Sequence, residues 1–194
     1  MRKRALGHPP CSSCVSSASS RSIFTPTHVT KTDRRSFCPF CGARFDRALP
    51  GPHLQCNQCH EIYYRNPAVG VAVVVLEGSR ILLGRRGRGV KAGEWCIPCG
   101  YVEWDEDVRD GARREVREET GLEVDLGEVY AVHSNFHDRE KQTVGIWFLA
   151  KGYRGELAAG DDIVEVGFFA LHQLPRLAFP TDEQVIESLR ASLG

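Results

Sequence analysis

Glu115, Glu118 and Glu119 stand at i, i+3 and i+4 in a stretch with helical periodicity. At roughly 100° per residue they share one face with Val108, Gly111 and Ala112. The small apolar side of this helix, the side that faces a core, therefore ends in carboxylates. Like charges converging on a partly desolvated spot are costly without compensation. A hard divalent cation is the natural compensator, and Mg²⁺ favours such oxygen clusters while keeping some of its waters. The competing reading is a solvated Arg/Glu face laced with pairs such as Arg114 with Glu118. It accounts for Arg109, Arg113 and Arg117, which lie off the stripe, but leaves the acids on the stripe unexplained.

Cysteine carries a second chemistry. All 8 cysteines fall in C-x-x-C pairs: Cys11/Cys14, Cys38/Cys41, Cys56/Cys59 and Cys96/Cys99. The N-terminus has basic residues but no apolar stretch of the kind a secretory signal needs. The pairs therefore read as metal or redox sites rather than a disulfide framework, in a reducing, cytoplasmic setting. Cys38, Cys41, Cys56 and Cys59 have zinc-ribbon spacing: each pair forms a tight knuckle, and two facing knuckles complete a tetrahedron. With thiolate at every position no coordination site is left for substrate, so the zinc is structural. It replaces a core that so short a module cannot build. His53 and His60 read as surface residues rather than ligands, and Arg44, Arg47 and Arg65 as bracing more than docking groups. Cys11 and Cys14 have no second pair nearby and read as incidental. Cys96 and Cys99 read as small buried thiols, with a redox switch as the sharper alternative.

The elements that position these groups follow from periodicity and turn residues. Residues 1–36, rich in Ser, Thr, Arg and Pro and free of acids before Asp33, read as a flexible tail. An organelle transit peptide has a similar composition. Residues 37–66 form the ribbon, closed by the turn at Asn66-Pro67, and 67–194 form the main domain. Strands are expected at Ala68–Leu76, Ile81–Leu83, near Trp95–Cys99, at Tyr101–Val102, Val129–Asn135, Thr143–Ala150 and Glu165–Ala170. Asp105–Thr120 reads as a helix closed by Gly121, and Thr181 opens a terminal helix with Val185, Ile186 and Leu189 on one side. Strands and helices mix without regular βαβ alternation, which predicts an α+β fold.

The segment Gly100, Glu106, Arg114, Glu115, Val116, Glu118, Glu119, Gly121, Leu122 resembles the Nudix box at every specified position. The resemblance implies an α/β/α sandwich with a mixed sheet, preceded here by the zinc ribbon. It implies that Glu115, Glu118 and Glu119 bind catalytic Mg²⁺ or Mn²⁺ with the Gly100 carbonyl as a further ligand. Arg114 would pair with Glu106, and water would attack phosphorus while cations stabilise the phosphate charge. Glu165 sits where many relatives place another acid near the metals, as a ligand or general base. The ribbon followed by Tyr64-Arg-Asn66-Pro67 is similar to the NADH pyrophosphatase type and to ribbon-bearing FAD or ADP-ribose pyrophosphatases. Two features depart from that pattern. No match to the S-Q-P-W-P-F-P motif of NADH pyrophosphatases follows the box, and Ile97-Pro-Cys99-Gly100 replaces the usual L-P-G-G.

Candidate base-stacking aromatics are Trp95, Tyr101, Trp104, Phe136 and Trp147, and the polar loop His133–Lys141 lies where selective loops often sit. Arg85, with Arg86 and Arg88, is a candidate phosphate contact. The 25 basic and 25 acidic residues balance, which argues against nucleic acid as main partner, and no apolar run reaches membrane-spanning length. The expected partner is a small nucleotide such as FAD, ADP-ribose or a dinucleotide, hydrolysed at its pyrophosphate, by a chain that could act as a homodimer. A nucleotide-sensing or RNA- or protein-binding regulatory module is the alternative; the intact acid set weighs against it.

Overall fold

The computed structural model describes residues 36–45, 54–64, 66–136 and 141–193. The tail with Cys11 and Cys14, as well as Arg47, His53, Arg65 and the tip of the 133–141 loop, lies outside the described residues.

The cysteine module is two similar turns. In the first, the Gly42 N–H donates to the Cys38 carbonyl at 2.9 Å; in the second, the His60 N–H donates to the Cys56 carbonyl at the same distance. Each turn needs a left-handed residue, supplied by Gly42 (φ 73°) and by His60 (φ 61°). Strand β1 (Leu54–Gln55) pairs with β2 (Ile62–Tyr63) around the second turn. Among the described residues of the module, Cys38, Phe45 and Cys56 form a small core, with Leu54 and Tyr63 against them.

Two sheets follow. The first has the order β10-β5-β4, with β6 also on β5; its strands are β4 (Leu76–Glu77), β5 (Arg80–Arg86), β6 (Trp95–Cys96) and β10 (Ile163–Ala170). The second has the order β7-β3-β9-β8, from β3 (Ala68–Val74), β7 (Cys99–Tyr101), β8 (Glu123–Asn135) and β9 (Thr143–Arg154). It is mixed, because β3 runs parallel to β9 while its other pairings are antiparallel.

The apolar run of β3 is continuous because both faces of its sheet are covered. Val71, Val73 and Val75 pack with Ala112 and Val116 of helix α1 (Val108–Thr120), whereas Ala72 and Val74 pack with Val185, Ile186 and Leu189 of helix α2 (Pro180–Leu193). Strand β9 alternates in the same way, Trp147 to the α2 side and Phe148 to the α1 side. The result is the expected α+β sandwich, with helices on opposite faces.

Helix α1 begins later than its acid-rich approach suggests. Asp107 is the N-cap, accepting the Arg109 N–H at 2.8 Å, and Asp105 takes a left-handed φ of 61° that ends the preceding loop instead of starting the helix. Gly121 closes it with φ 72° as expected. The strands β8 and β9 are longer than their apolar cores indicate, because the ladder between Glu123 and Arg154 extends through polar residues.

Candidate functional site

The stripe of α1 passes from core to cavity within one turn. Ala112 and Val116 are fully buried, and the same face continues into Glu119, which is 2% exposed. Glu119 Oε2 accepts the Cys99 backbone N–H at 2.8 Å, tying the helix to β7. Glu115 lies against Gly100, one residue further along β7; a Cβ at Gly100 would displace the Glu115 carboxylate from its place.

Arg114 organises the loop before the helix. Its Nε and Nη2 donate to both oxygens of Glu106 at 2.7 and 2.9 Å, Nη1 donates to Glu115 at 2.8 Å and to Glu118 at 3.1 Å, and Nη2 also reaches the Tyr101 carbonyl at 3.0 Å. This bidentate clamp fixes the loop between β7 and α1 against the helix. It also lowers the Glu106 pKa to about 2, with the Glu103 N–H adding to the effect. Glu115 shifts the other way, its pKa raised by burial against the pull of Arg114. Glu119 is pushed well above the carboxylate range by burial, with the neighbouring Cys96 and Asp162 adding to the cost of its charge.

A cavity of about 410 Å³ opens over these groups, lined among others by Glu115, Glu119, Gly100, Asp161, Asp162, Arg86, Arg88 and Trp147. Its acidic wall is an all-oxygen donor set, the chemistry a hard divalent cation requires. The carboxylates do not converge as tightly as the thiols: among the described residues, the sulfurs of Cys38, Cys41, Cys56 and Cys59 are the donor set whose atoms all lie within 4.8 Å of one another. The Cys38–Cys59 and Cys41–Cys56 sulfur separations are 3.7 and 3.5 Å. Tetrahedral zinc with bonds of about 2.3 Å sets edges of about 3.8 Å, so the quartet fits a zinc ion.

The structure sorts the residues picked out from sequence. Glu115, Glu119, Gly100 and Tyr101 line the cavity; Glu118 and Glu106 are not on its wall and are tied to Glu115 through Arg114. Glu165 does not join them. Its carboxylate accepts from Arg85 Nε at 2.8 Å on the exposed face where β10 pairs with β5, and neither residue lines the cavity. Strand parity is the reason: Arg86, one residue on from Arg85, points to the cavity. The acids that approach Glu115 and Glu119 are instead Asp161 and Asp162, just before β10. Trp95 packs edge-on against Phe169 at 4.6 Å within the core, and Trp104 and Phe136 are 93% and 66% exposed, outside the cavity lining. Tyr101 and Trp147 are the candidate aromatics that line the cavity, Tyr101 with the Lys141 ammonium 3.7 Å above its ring. Sequence reading missed Asp162, Thr181 and Asp182; the available signals were an acid pair ahead of a strand and an acid in a helix's first turn.

Asp182 is 1% exposed and accepts from the Ile97 N–H at 3.1 Å and the Trp147 indole N–H at 3.2 Å. Burial nevertheless lifts its pKa from 3.8 to about 7. A folded pKa above the unfolded one means that the folded state holds the proton more tightly. The carboxyl therefore costs no stability below pH ~4, and stability declines as pH rises through ~7. Urea unfolding of the wild type is expected to lose on the order of 4 kcal/mol relative to Asp182→Asn between those limits. A parallel pH dependence of the two proteins would refute this.

Comparison with known proteins adds the family context. The model of the NUDIX domain matches residues 65–189. An ADP-ribose pyrophosphatase of Methanocaldococcus jannaschii is 35% identical over 68% of this chain and 78% of that protein. A Vibrio vulnificus protein named NAD-capped RNA hydrolase NudC is also 35% identical, over 50% of this chain, but the match spans only 36% of its own length. The crystal structure of a NUDIX hydrolase from Nitrosomonas europaea superposes with a TM-score of 0.68 at 29% identity, covering 80% of this chain and 93% of that one.

Proposed function

Since the chain belongs to the NUDIX family and is a hydrolase of phosphoanhydride bonds, we propose that it cleaves, with a divalent cation, the pyrophosphate of a nucleoside diphosphate linked to another moiety, ADP-ribose foremost. The observation that carries this reading is the cavity itself. One wall is acidic, with Glu115, Glu119, Asp161 and Asp162, and the lining also includes Arg86, Arg88, Tyr101, Trp147 and Phe179. Its 410 Å³ suits a nucleotide-sized ligand. The Methanocaldococcus enzyme, matched over most of its length, supports ADP-ribose above larger capped substrates.

In this reading Glu115, Glu118, Glu119 and the Gly100 carbonyl would hold Mg²⁺ or Mn²⁺. The cation, when bound, supplies Lewis-acid stabilisation of charge on the phosphate oxygens. The chain's own part is positioning. The Arg114–Glu106 clamp keeps the loop and helix in fixed relation, and Arg86 and Arg88 lie on the cavity wall where phosphate charge would sit. Water oxygen bonds to phosphorus, the bond from phosphorus to the bridging oxygen breaks, and the water proton passes to a carboxylate. Asp162, on the same wall near Glu119 and accepting from Arg86 Nη2 at 3.4 Å, stands outside the ligand set and is the candidate for that task. The products are a mononucleotide and a phosphorylated partner. The cysteine quartet binds structural zinc in a module spanning 37–66, ahead of a catalytic unit from 67 onward.

The test is Mg²⁺-dependent turnover of ADP-ribose, FAD, NADH, dinucleoside polyphosphates, nucleoside triphosphates and NAD-capped RNA. ADP-ribose is expected to give the highest kcat/KM. Preference for capped RNA would transfer the assignment to that class. Tight nucleotide binding without turnover would replace the enzyme by a nucleotide sensor.

A further inference from the structure

Strand registers set the floor of the cavity in rows. Gly70 on β3 pairs with Tyr101 on β7 and with Gly145 on β9, and Gly145 pairs in turn with His133 on β8. In the row on one side Thr143 pairs with Asn135, and in the row on the other Trp147 pairs with Ala72. Positions paired across strands, or two apart along one, share a face. These rows therefore belong to the face on which Ala72 and Trp147 pack toward α2. Gly70, Tyr101, Asn135, Thr143, Gly145 and Trp147 all line the cavity.

The two glycines of the middle row differ. A Cβ at Gly145 would stand 2.5 Å from the Trp147 six-membered ring, so that ring lies over Gly145 in place of a side chain. Gly70 has no such cover. Among the described residues, a Cβ there would meet only the Gly100 and Val144 carbonyl oxygens, at 3.4 and 3.9 Å, which is ordinary contact. A glycine inside a strand forfeits packing, and it commonly marks a bulge, a close backbone approach or a close ligand approach. There is no bulge, because β3 keeps unbroken register with both neighbours. The backbone distances do not demand glycine, and Gly70 is not among the residues with positive φ. What is left is a ligand. The bare floor lies between the Tyr101 ring, 47% exposed, and the Trp147 ring over Gly145. Lys141, which sits above Tyr101, is not on the cavity wall.

We propose that Gly70 is the specificity-determining residue of a base seat: the substrate's planar heterocycle lies over β3 against Tyr101, with Asn135 and Thr143 at its outer rim. The inference rests on the nucleotide reading above and assigns the orientation of the ligand, its base over β3 and its phosphates toward Arg86 and Arg88 on the same cavity wall. Recognition is by stacking and shape, so a purine and a nicotinamide ring share the chemistry.

Direct binding separates these sources and does not depend on turnover. Calorimetric titration in the presence of Mg²⁺ would compare ribose 5-phosphate with AMP and with nicotinamide mononucleotide, each of which adds a ring to that sugar phosphate. The wild type is expected to bind at least one of the two nucleotides about tenfold more tightly than ribose 5-phosphate, the contribution of one stacked base. The nucleotide preferred identifies the ring. Gly70→Val fills the seat with a side chain suited to a strand. It should remove the advantage and leave ribose 5-phosphate affinity within about twofold of the wild type. Gly70→Ala, whose methyl meets only ordinary contacts, should lose part of the advantage and decides the matter if the valine variant does not fold. Equal affinities for all three ligands in the wild type would overturn the proposal, as would an undiminished preference in the folded variant. A loss shared equally by ribose 5-phosphate would also overturn it, because the effect would then lie at the phosphate end. Hydrolysis of ADP-ribose without a ring preference would leave the proposed activity standing and remove this inference alone; a ring preference without hydrolysis would do the reverse.

Discussion

Glu115→Gln and Glu118→Gln are each expected to lower kcat for the preferred substrate about a thousand-fold, with Mg²⁺ saturating. A cation worth several kcal/mol of transition-state stabilisation, at about 1.36 kcal/mol per factor of ten, gives that magnitude. The structure predicts that this loss comes without unfolding. The Glu115 side chain is largely buried, with its pKa raised by that burial, so neutralising it removes an unfavourable buried charge while Arg114 keeps its two bonds to Glu106. A melting temperature within a few degrees of the wild type would therefore accompany the catalytic defect. The comparison of Asp162→Asn with Glu165→Gln sharpens the test. Asp162 lines the cavity and should cost one to two orders of magnitude as the proton acceptor. Glu165, salt-bridged to Arg85 on an exposed face, should leave kcat within about twofold. Turnover within tenfold of the wild type in both Glu115→Gln and Glu118→Gln would sink the metal assignment.

Cys38→Ser is expected to abolish zinc binding and unfold the cysteine module. Structural zinc sites contribute roughly 10–16 kcal/mol of binding free energy that is also folding free energy. Among the described residues little in this module replaces it, since their buried apolar set is Cys38, Phe45 and Cys56 with a few partly buried neighbours. Metal analysis of purified protein should give one zinc per chain for the wild type and less than about a tenth of that for the variant. Retention of one zinc per chain in the variant would overturn the four-thiolate site. The α1 and α2 cores share no residue with the module, so a cooperative unfolding transition from the rest of the chain should persist.

How much of this was legible in the residues alone depends on how local each feature is. The cysteine knuckles and the acid stripe are local: their spacing places side chains on one turn or one helix face whatever the surroundings. That is why Glu115, Glu118, Glu119 and the four cysteines could be named before any fold was known, and why the continuous Val/Ala run of β3 could be read as a strand, its burial on both faces coming only with the structure. Strand parity was less secure. Arg85 and Arg86 are adjacent and chemically identical, and only the register of β5 against β10 decides that Arg86 enters the cavity while Arg85 meets Glu165. The aromatics show the same limit, because Trp95 became core and Trp104 surface according to what packs on them.

Asp162, Thr181 and Asp182 were beyond the reach of sequence periodicity. Each owes its place on the cavity wall to a partner far along the chain: Asp162 to Glu119 on α1, Asp182 to the Ile97 N–H and the Trp147 indole, Thr181 to the pairing of residues 176–178 with β6. The sequence by itself determined which donor atoms are gathered, carboxylate oxygens in one stretch and thiols in the other, because that chemistry belongs to residue types at short spacing. The tertiary structure decided which additional residues face the cavity and which polar groups are buried there, because desolvation and contact between distant segments exist only after the sheets and helices have closed on one another.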